Sequence, residues 1–347
     1  MPRIISRRGL LAGMLGMGGG ALLCGCNGPE LADKLMGRQE STPYSGSTFA
    51  FDTYCTFTVY GDEAAPAKLA QACTRLDGLF NLYDEGSDIA RVNAAAGAIV
   101  TVDTETAELV SRALTFCEAA DGLFDITIGA VSTLWDFAEH VRPTAEQIAS
   151  ALAHVNWRCV NVDIDASTIQ LADPAAKLDL GAIAKGYAAD RLCDILRDET
   201  QATAAAISLG GNIIYFGKKP DGIPWETGIR DPNDPGGKTV IGTCKVDGGT
   251  LVTSGLYERT FEQDSVTYWH ILDPKTGMPV QTDVESDTVF CDSSTQADAL
   301  STTLFVAGSE RGAQIIEGMD GTAAYFIRQD GTTSETSAWQ QLTDFSA

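Results

Sequence analysis

Tyr268-Trp269-His270-Ile271-Leu272-Asp273-Pro274-Lys275-Thr276-Gly277 is an apolar, aromatic run that stops in a turn. Val266 to Leu272 predicts a strand, Pro274 presets a turn and Gly277 lets it close. His270, one of three histidines in the chain, and Asp273 stand where the strand hands over to a loop, a place suited to meeting a ligand. A tight surface hairpin with a structural histidine fits the same letters.

Outward from this segment the periodicity changes without a regular rhythm. Thr53 to Gly61 reads as a strand, and Ala65 to Leu82 as a helix with Leu69, Cys73, Leu76 and Phe80 on one face. Thr104 to Ala120 repeats the helical spacing through Leu109, Ala113, Leu114 and Cys117. Thr144 and Gln147 form a capping-box signature before Ile148 and Leu152. Ala206 to Gly217 predicts a strand interrupted at Gly210-Gly211, and Thr239 to Val246 a further one. Asp298 to Val306 is helical, and Thr322 to Arg328 is a strand before an Asp330-Gly331 turn. Such irregular mixing favours an α+β fold over a doubly wound sheet.

Residues 1–26 read as an export leader. Arg7-Arg8 precede an apolar run from Gly9 to Leu23, and small residues lead to Cys26. Ser6 to Leu11 resembles a twin-arginine signal, and Leu23-Cys24-Gly25-Cys26 a lipoprotein cleavage box with Cys26 as the lipidated residue. A plain transmembrane anchor fits this short, glycine-rich run poorly. Residues 27–48 have the composition of a tether, and residues 49–347 form the expected globular part, enough for a sizeable core. The mature protein is therefore expected outside the cytoplasm, on the outer face of the cell membrane or in the periplasm. Nine cysteines and an exported chain suggest disulfides, but Cys73, Cys117 and Cys193 sit at helical core positions where buried thiols are expected.

A formal net charge of −23 makes nucleic acid an improbable partner. It also restricts any anionic ligand to a spot where a metal, a lysine or a helix N-terminus reverses the field. Asp179-Leu180-Gly181-Ala182-Ile183-Ala184-Lys185-Gly186 leads into a helix, so the Lys185 charge opposes the macrodipole and a bound anion would relieve the conflict. A solvated lysine is the plainer reading. Asp298 and Thr302, four apart on a helix, face one side. Their hard oxygens suit magnesium that keeps waters and phosphate oxygens, although such a pair also fits an ordinary solvated face. Phe124-Asp125-Ile126-Thr127 and Leu134-Trp135-Asp136-Phe137 set aromatic surface beside polar groups.

In their shared order these segments resemble the ApbE family, the FAD:protein FMN transferases. The likeness runs from about Phe51 to Gly308. It includes Leu82-Tyr83 with Ser87 and Asn93, Phe124 to Thr127 with Trp135, and Asp179 to Asp190. Further on it takes in Ser208 to Asn212, Thr253-Ser254-Gly255 with Tyr257-Glu258-Arg259, His270 to Gly277, and Ala297 to Thr302. The resemblance implies the family's α+β fold, with mixed and antiparallel sheets, packed helices and an FAD cleft between lobes. It implies FAD contacts at Phe51, Tyr83, Leu123, Phe124, Asp125, Asp179, Lys185 and Ile271, and a magnesium site at the Ala182 carbonyl, Asp298 and Thr302. Phe51 and Asp52 stand where the family often has Met-Gly, and Ser301 where some members have an acid.

The implied reaction is attack by an acceptor protein's threonine hydroxyl on the FMN phosphorus of FAD, with His270 or Asp273 taking the proton and AMP leaving. The implied partners are exported acceptor proteins with a Ser/Thr-Gly-Ala-Thr-like motif. Ser45-Gly46-Ser47-Thr48 loosely resembles that motif within the tether. The alternatives are hydrolysis of FAD to FMN and AMP, and an exported flavin-storing lipoprotein without turnover.

Overall fold

Alternation decides the first element of the fold in the computed structural model, which describes residues 42–234 and 237–347. Along β2 (Thr53–Tyr60), Cys55, Phe57 and Val59 are buried while Tyr54 and Thr56 face solvent, the pattern of a strand with one packed face. It pairs with β1 (Tyr44–Ala50) across a two-residue turn in which Phe51 and Asp52 both have positive φ, 52° and 56°. The ordered fold thus begins before Phe49. Ser45-Gly46-Ser47-Thr48, expected in the tether, is strand instead, held by the pairing Tyr44↔Val59 through Ala50↔Thr53. The leader with Cys26, and tether residues 27–41, lie outside the described residues.

Six more strands complete an antiparallel sheet: β3 (Ala204–Leu209), β4 (Asn212–Phe216), β5 (Gly249–Gly255), β6 (Val284–Cys291), β7 (Ala323–Arg328) and β8 (Thr333–Glu335). Their spatial order is their chain order, so the sheet is a meander into which longer segments are inserted. The predicted strand from Ala206 to Gly217 is two strands. Gly210-Gly211 reverses the chain so that Leu209 pairs with Asn212, and a β-carbon on Gly210 would lie 2.8 Å from Thr53 Oγ1. The strand predicted over Val266–Leu272 ends at Trp269, although the His270 N–H still donates to Arg259 O at 3.2 Å, in register with the pair Thr260↔Trp269.

Helices cover one face of the sheet. In α1 (Ala65–Phe80) the buried residues Leu69, Cys73, Leu76 and Phe80 recur at the expected spacing and pack on Phe57 and Val59. Leu109, Ala113 and Cys117 form the buried stripe of α2 (Thr104–Ala119), while Leu114 is only half-buried. The capping box forms as read: Thr144 N donates to Gln147 Oε1 and Gln147 N to Thr144 Oγ1. Two helices then meet closely, α3 (Ala184–Glu199) and α4 (Ser294–Ala307). Gly186 makes the approach possible, since a β-carbon there would lie 2.1 Å from Ser294 O. Asp190 of α3 also caps α4, accepting from Ser294 N, Thr295 N and both hydroxyls of Ser293 and Thr295. The opposite face of the sheet is covered by the hairpin Trp225–Arg230 with Val240–Val246 and by the helix Trp339–Thr343. Among the described residues no helix is long and apolar enough to cross a membrane.

Candidate active site

The inserted segments converge on a cavity of about 310 Å³ at one end of the sheet. One wall comes from the insertion between β2 and β3 and carries Leu123, Phe124, Asp125, Asp179, Ala182 and Lys185. The facing wall carries Thr253, Glu258, Arg259, His270 and Ile271, and α4 contributes Asp298 and Thr302. Phe51 and Asp52 form a lip, and Gly210, Gly211 and Asn212 also line the space. Tyr83 stands apart in an adjoining depression shared with Phe51, Asp179 and Lys185, its side chain 69% exposed.

Local chemistry explains how these groups are held. Asp125 is fixed by Thr127 N, Thr127 Oγ1 and Trp157 N, which donate to its carboxylate at 2.8, 2.5 and 3.1 Å. Asp179 accepts from Ser132 Oγ at 2.6 Å and from Gly181 N at 2.9 Å, shaping the turn that starts α3. Lys185 is the second residue of α3, and its Nζ donates to Gly181 O at 3.2 Å. An ammonium and the first turn of a helix thus add their positive fields at one corner of an acidic chain. Arg259 across the cavity forms a loose pair with Asp52 at 3.8 Å.

Asp298, 4% exposed, accepts from Gly186 N at 2.8 Å through Oδ2. One carboxylate, the Thr302 hydroxyl and the Ala182 carbonyl all border the cavity, a set of hard oxygens compatible with magnesium that completes its shell with water and phosphate. Among the described residues no three His, Cys, Asp or Glu side chains gather as a metal cage, so such an ion would depend on its ligand for part of its shell. Ser301 is not in the lining. It is fully buried, bonded to Ser254 Oγ at 2.9 Å and donating to Asp298 O at 3.0 Å, and it ties α4 to β5.

His270 is held neutral. Burial, then the charges of Arg259 and Lys185, lower its pKa from 6.5 to about 3. Its Nδ1 is buried and has no hydrogen-bond partner among the described residues. Asp273, the other residue expected to move a proton, does not line the cavity. Its carboxylate accepts from Lys275 N at 2.8 Å and its carbonyl from Thr276 N and Gly277 N, so it shapes the turn that Pro274 and Gly277 announced.

Two groups escaped prediction. Asn212, 1% exposed, lines the cavity with its Nδ2 unpartnered among the described residues. Arg259 was quoted within a motif but given no role, although the demand for positive charge in an acidic chain pointed to it.

The sequence model of the ApbE family matches residues 51–326. A Treponema pallidum FAD:protein FMN transferase is 36% identical over 320 residues, covering 85% of this chain and 87% of the relative. One from Klebsiella pneumoniae is 35% identical over 272 residues, covering 78% and 84%. Among solved structures, the ApbE protein of Thermotoga maritima superposes with a TM-score of 0.78 at 32% identity, covering 87% of this chain and 99% of its own. The apo flavinyl transferase ApbE of Pseudomonas stutzeri gives 0.75 at 30% identity, covering 87% and 96%. The α+β meander with its inserted cavity walls, and similarity of this extent, establish that the chain belongs to the ApbE family.

Proposed function

We propose that this chain is an FAD:protein FMN transferase, moving the FMN part of FAD onto a threonine hydroxyl of an acceptor protein and releasing AMP. The observation that carries the reading is the meeting of Lys185 at the start of α3 with Asp298 and Thr302 of α4 on one cavity. That corner can hold a pyrophosphate which the rest of the molecule would repel. Family membership supports flavin transfer as the activity.

Lys185 and Arg259 bind and orient the phosphates, while Phe51, Leu123, Phe124 and Ile271 supply apolar surface for the rings, with Tyr83 at the rim. Asp298, Thr302 and the Ala182 carbonyl would hold magnesium, which when bound neutralises phosphate charge and strengthens AMP as a leaving group. His270 stands as the proton acceptor. The same two cations that depress its basicity are those a bound pyrophosphate neutralises, so the imidazole becomes a better base once FAD is seated. The acceptor oxygen then bonds to the FMN phosphorus, the bond from that phosphorus to the AMP oxygen breaks, and the hydroxyl proton passes to His270.

The leader supports export with a lipid on Cys26 and a place on the outer membrane face or in the periplasm. Acceptors would be exported proteins with a Ser/Thr-Gly-Ala-Thr-like motif. Purified enzyme, FAD, magnesium and a domain carrying that motif should give an acceptor band with in-gel flavin fluorescence, lost with Asp298→Ala. FMN and AMP without acceptor labelling would instead identify an FAD hydrolase, and binding without turnover a storage protein.

A further inference from the structure

We propose that Asn212 is a further phosphate-binding residue, its side-chain amide donating a neutral hydrogen bond to the pyrophosphate of FAD from the floor of the cavity. The assignment rests on the reading that this cavity takes FAD. Asn212 opens β4 directly after the Gly210-Gly211 reversal, and in the sheet it lies between Leu209 of β3 and Val252 of β5. Residues opposite one another in antiparallel strands share a face. Leu209 is buried with Ala188 and Ala189 of α3, and Val252 with Ala297 and Leu300 of α4, so the amide is on the side that those two helices cover.

Contacts on either side fix its level along the helices. Thr250 Oγ1 donates to Ser294 Oγ at 3.1 Å, and Ser254 Oγ meets Ser301 Oγ at 2.9 Å. Val252 lies midway between Thr250 and Ser254, and Asp298 near the middle of the stretch from Ser294 to Ser301, so Asn212 is level with Asp298. At the far end of β4, the Arg197 guanidinium lies 6.0 Å from the centroid of the Phe216 ring. α3 therefore runs alongside β4 with its Lys185 end next to Asn212. The amide sits below the point where Gly186 N donates to Asp298, and Lys185, Asp298, Thr302 and Asn212 line the same cavity. Asn212 is 1% exposed, and its Nδ2 has no hydrogen-bond partner among the described residues. A buried donor left unpaired destabilises the fold, and an oxygen of the bound ligand supplies the missing acceptor. At this corner an ammonium and a helix N-terminus already favour an anion, and a bond from an amide to a charged oxygen is stronger than one to a neutral oxygen. An amide also suits so buried a place, where a second ammonium would have to be desolvated.

The test titrates the full chain, purified in detergent, and its variants Asn212→Leu and Asn212→Ala with FAD, in magnesium and in excess EDTA, and then with ADP as competitor. Each variant should bind FAD and ADP about ten- to a hundredfold more weakly, with and without magnesium. Ligand-free Asn212→Leu should melt no lower than the parent, because an apolar group of similar size replaces the unpaired donor. Asn212→Ala keeps the binding test available if the leucine variant does not fold. Unchanged affinity overturns the proposal. So does a loss for FAD but not for ADP, which would set the amide against the flavin ring, or a loss confined to magnesium, which would make the side chain a metal ligand through its oxygen. A parallel fall in the melting temperature of both ligand-free variants would make the amide structural and overturns it too. A parent that binds no FAD would refute the reading of the cavity itself, whereas a parent that binds FAD no better than the variants refutes this contact alone.

Discussion

Gly186→Ala places a methyl group where α3 and α4 touch. Its carbon would sit 2.1 Å from Ser294 O, 2.6 Å from Ser294 C and 2.7 Å from Asp298 Cβ, whereas ordinary contact begins near 3.4 Å. The helices must therefore separate by roughly 1 Å. The Asp298 bond to Gly186 N, now 2.8 Å, would stretch beyond about 3.5 Å, where it ceases to be a useful hydrogen bond. Helix propensity works the other way and favours alanine by about 1 kcal/mol. Overpacking costs about 1–3 kcal/mol, and a lost hydrogen bond to a buried carboxylate about 1.5–3 kcal/mol. The unfavourable effects win by about 2–4 kcal/mol, or a melting temperature roughly 5–10 °C lower. With Asp298 and Thr302 of α4 in the magnesium site proposed above, the magnesium concentration that half-saturates acceptor labelling is expected to rise about tenfold. Calorimetry and a magnesium titration of labelling check both. A variant at least as stable as the parent, with an unchanged magnesium requirement, would refute the reasoning.

Asp287 is fully buried with neither oxygen partnered among the described residues, and burial raises its pKa well above 3.8. The folded state keeps a proton that the unfolded state has released above that value, so stability falls as pH rises. Asp287→Asn should then be more stabilising at pH 8 than at pH 4 in urea midpoints; an equal effect at both would sink the idea. His270 works in the opposite sense. Below pH 6.5 the unfolded chain takes up a proton that the folded site, with its pKa near 3, refuses, and stability is lost as pH falls through that window. His270→Gln should therefore lose less stability than the parent between pH 7 and pH 4, and parallel losses would remove the histidine from that account. Lys185→Ala should weaken FAD binding by about tenfold in a fluorescence titration, and unchanged affinity would take this lysine out of the phosphate corner.

Where one side of an element packs and the other is wet, the sequence was readable. The stripe of α1, the box at Thr144 and Gln147, and the alternation of β2 all emerge because a single period separates buried from exposed residues. Gly210-Gly211 was misread as an interruption because glycine adds no hydropathy signal, so a reversal inside an apolar run looks like one long strand. Asp273 carried two compatible readings, and the structure shows it in the turn of Asp-Pro with a following glycine, outside the cavity lining. Asn212 and Asp287 were beyond reach for a different reason. In β4 and β6 residues are buried on both sides of the sheet, and a polar residue there gives no hint of which wall it faces. The cavity residues could be grouped only through the resemblance, since they are drawn from segments between Phe51 and Thr302 that no local period connects.

The meander has one further implication. Neighbouring strands β2 and β3 are joined through the entire helical insertion, yet the entropy of closing such an excursion grows only with the logarithm of its length. The sheet can therefore act as a fixed ruler while the excursions lengthen, shorten or change composition at little cost to the frame. Natural variation in which flavin acceptors are admitted should accordingly accumulate in the excursions, leaving the strand registers untouched.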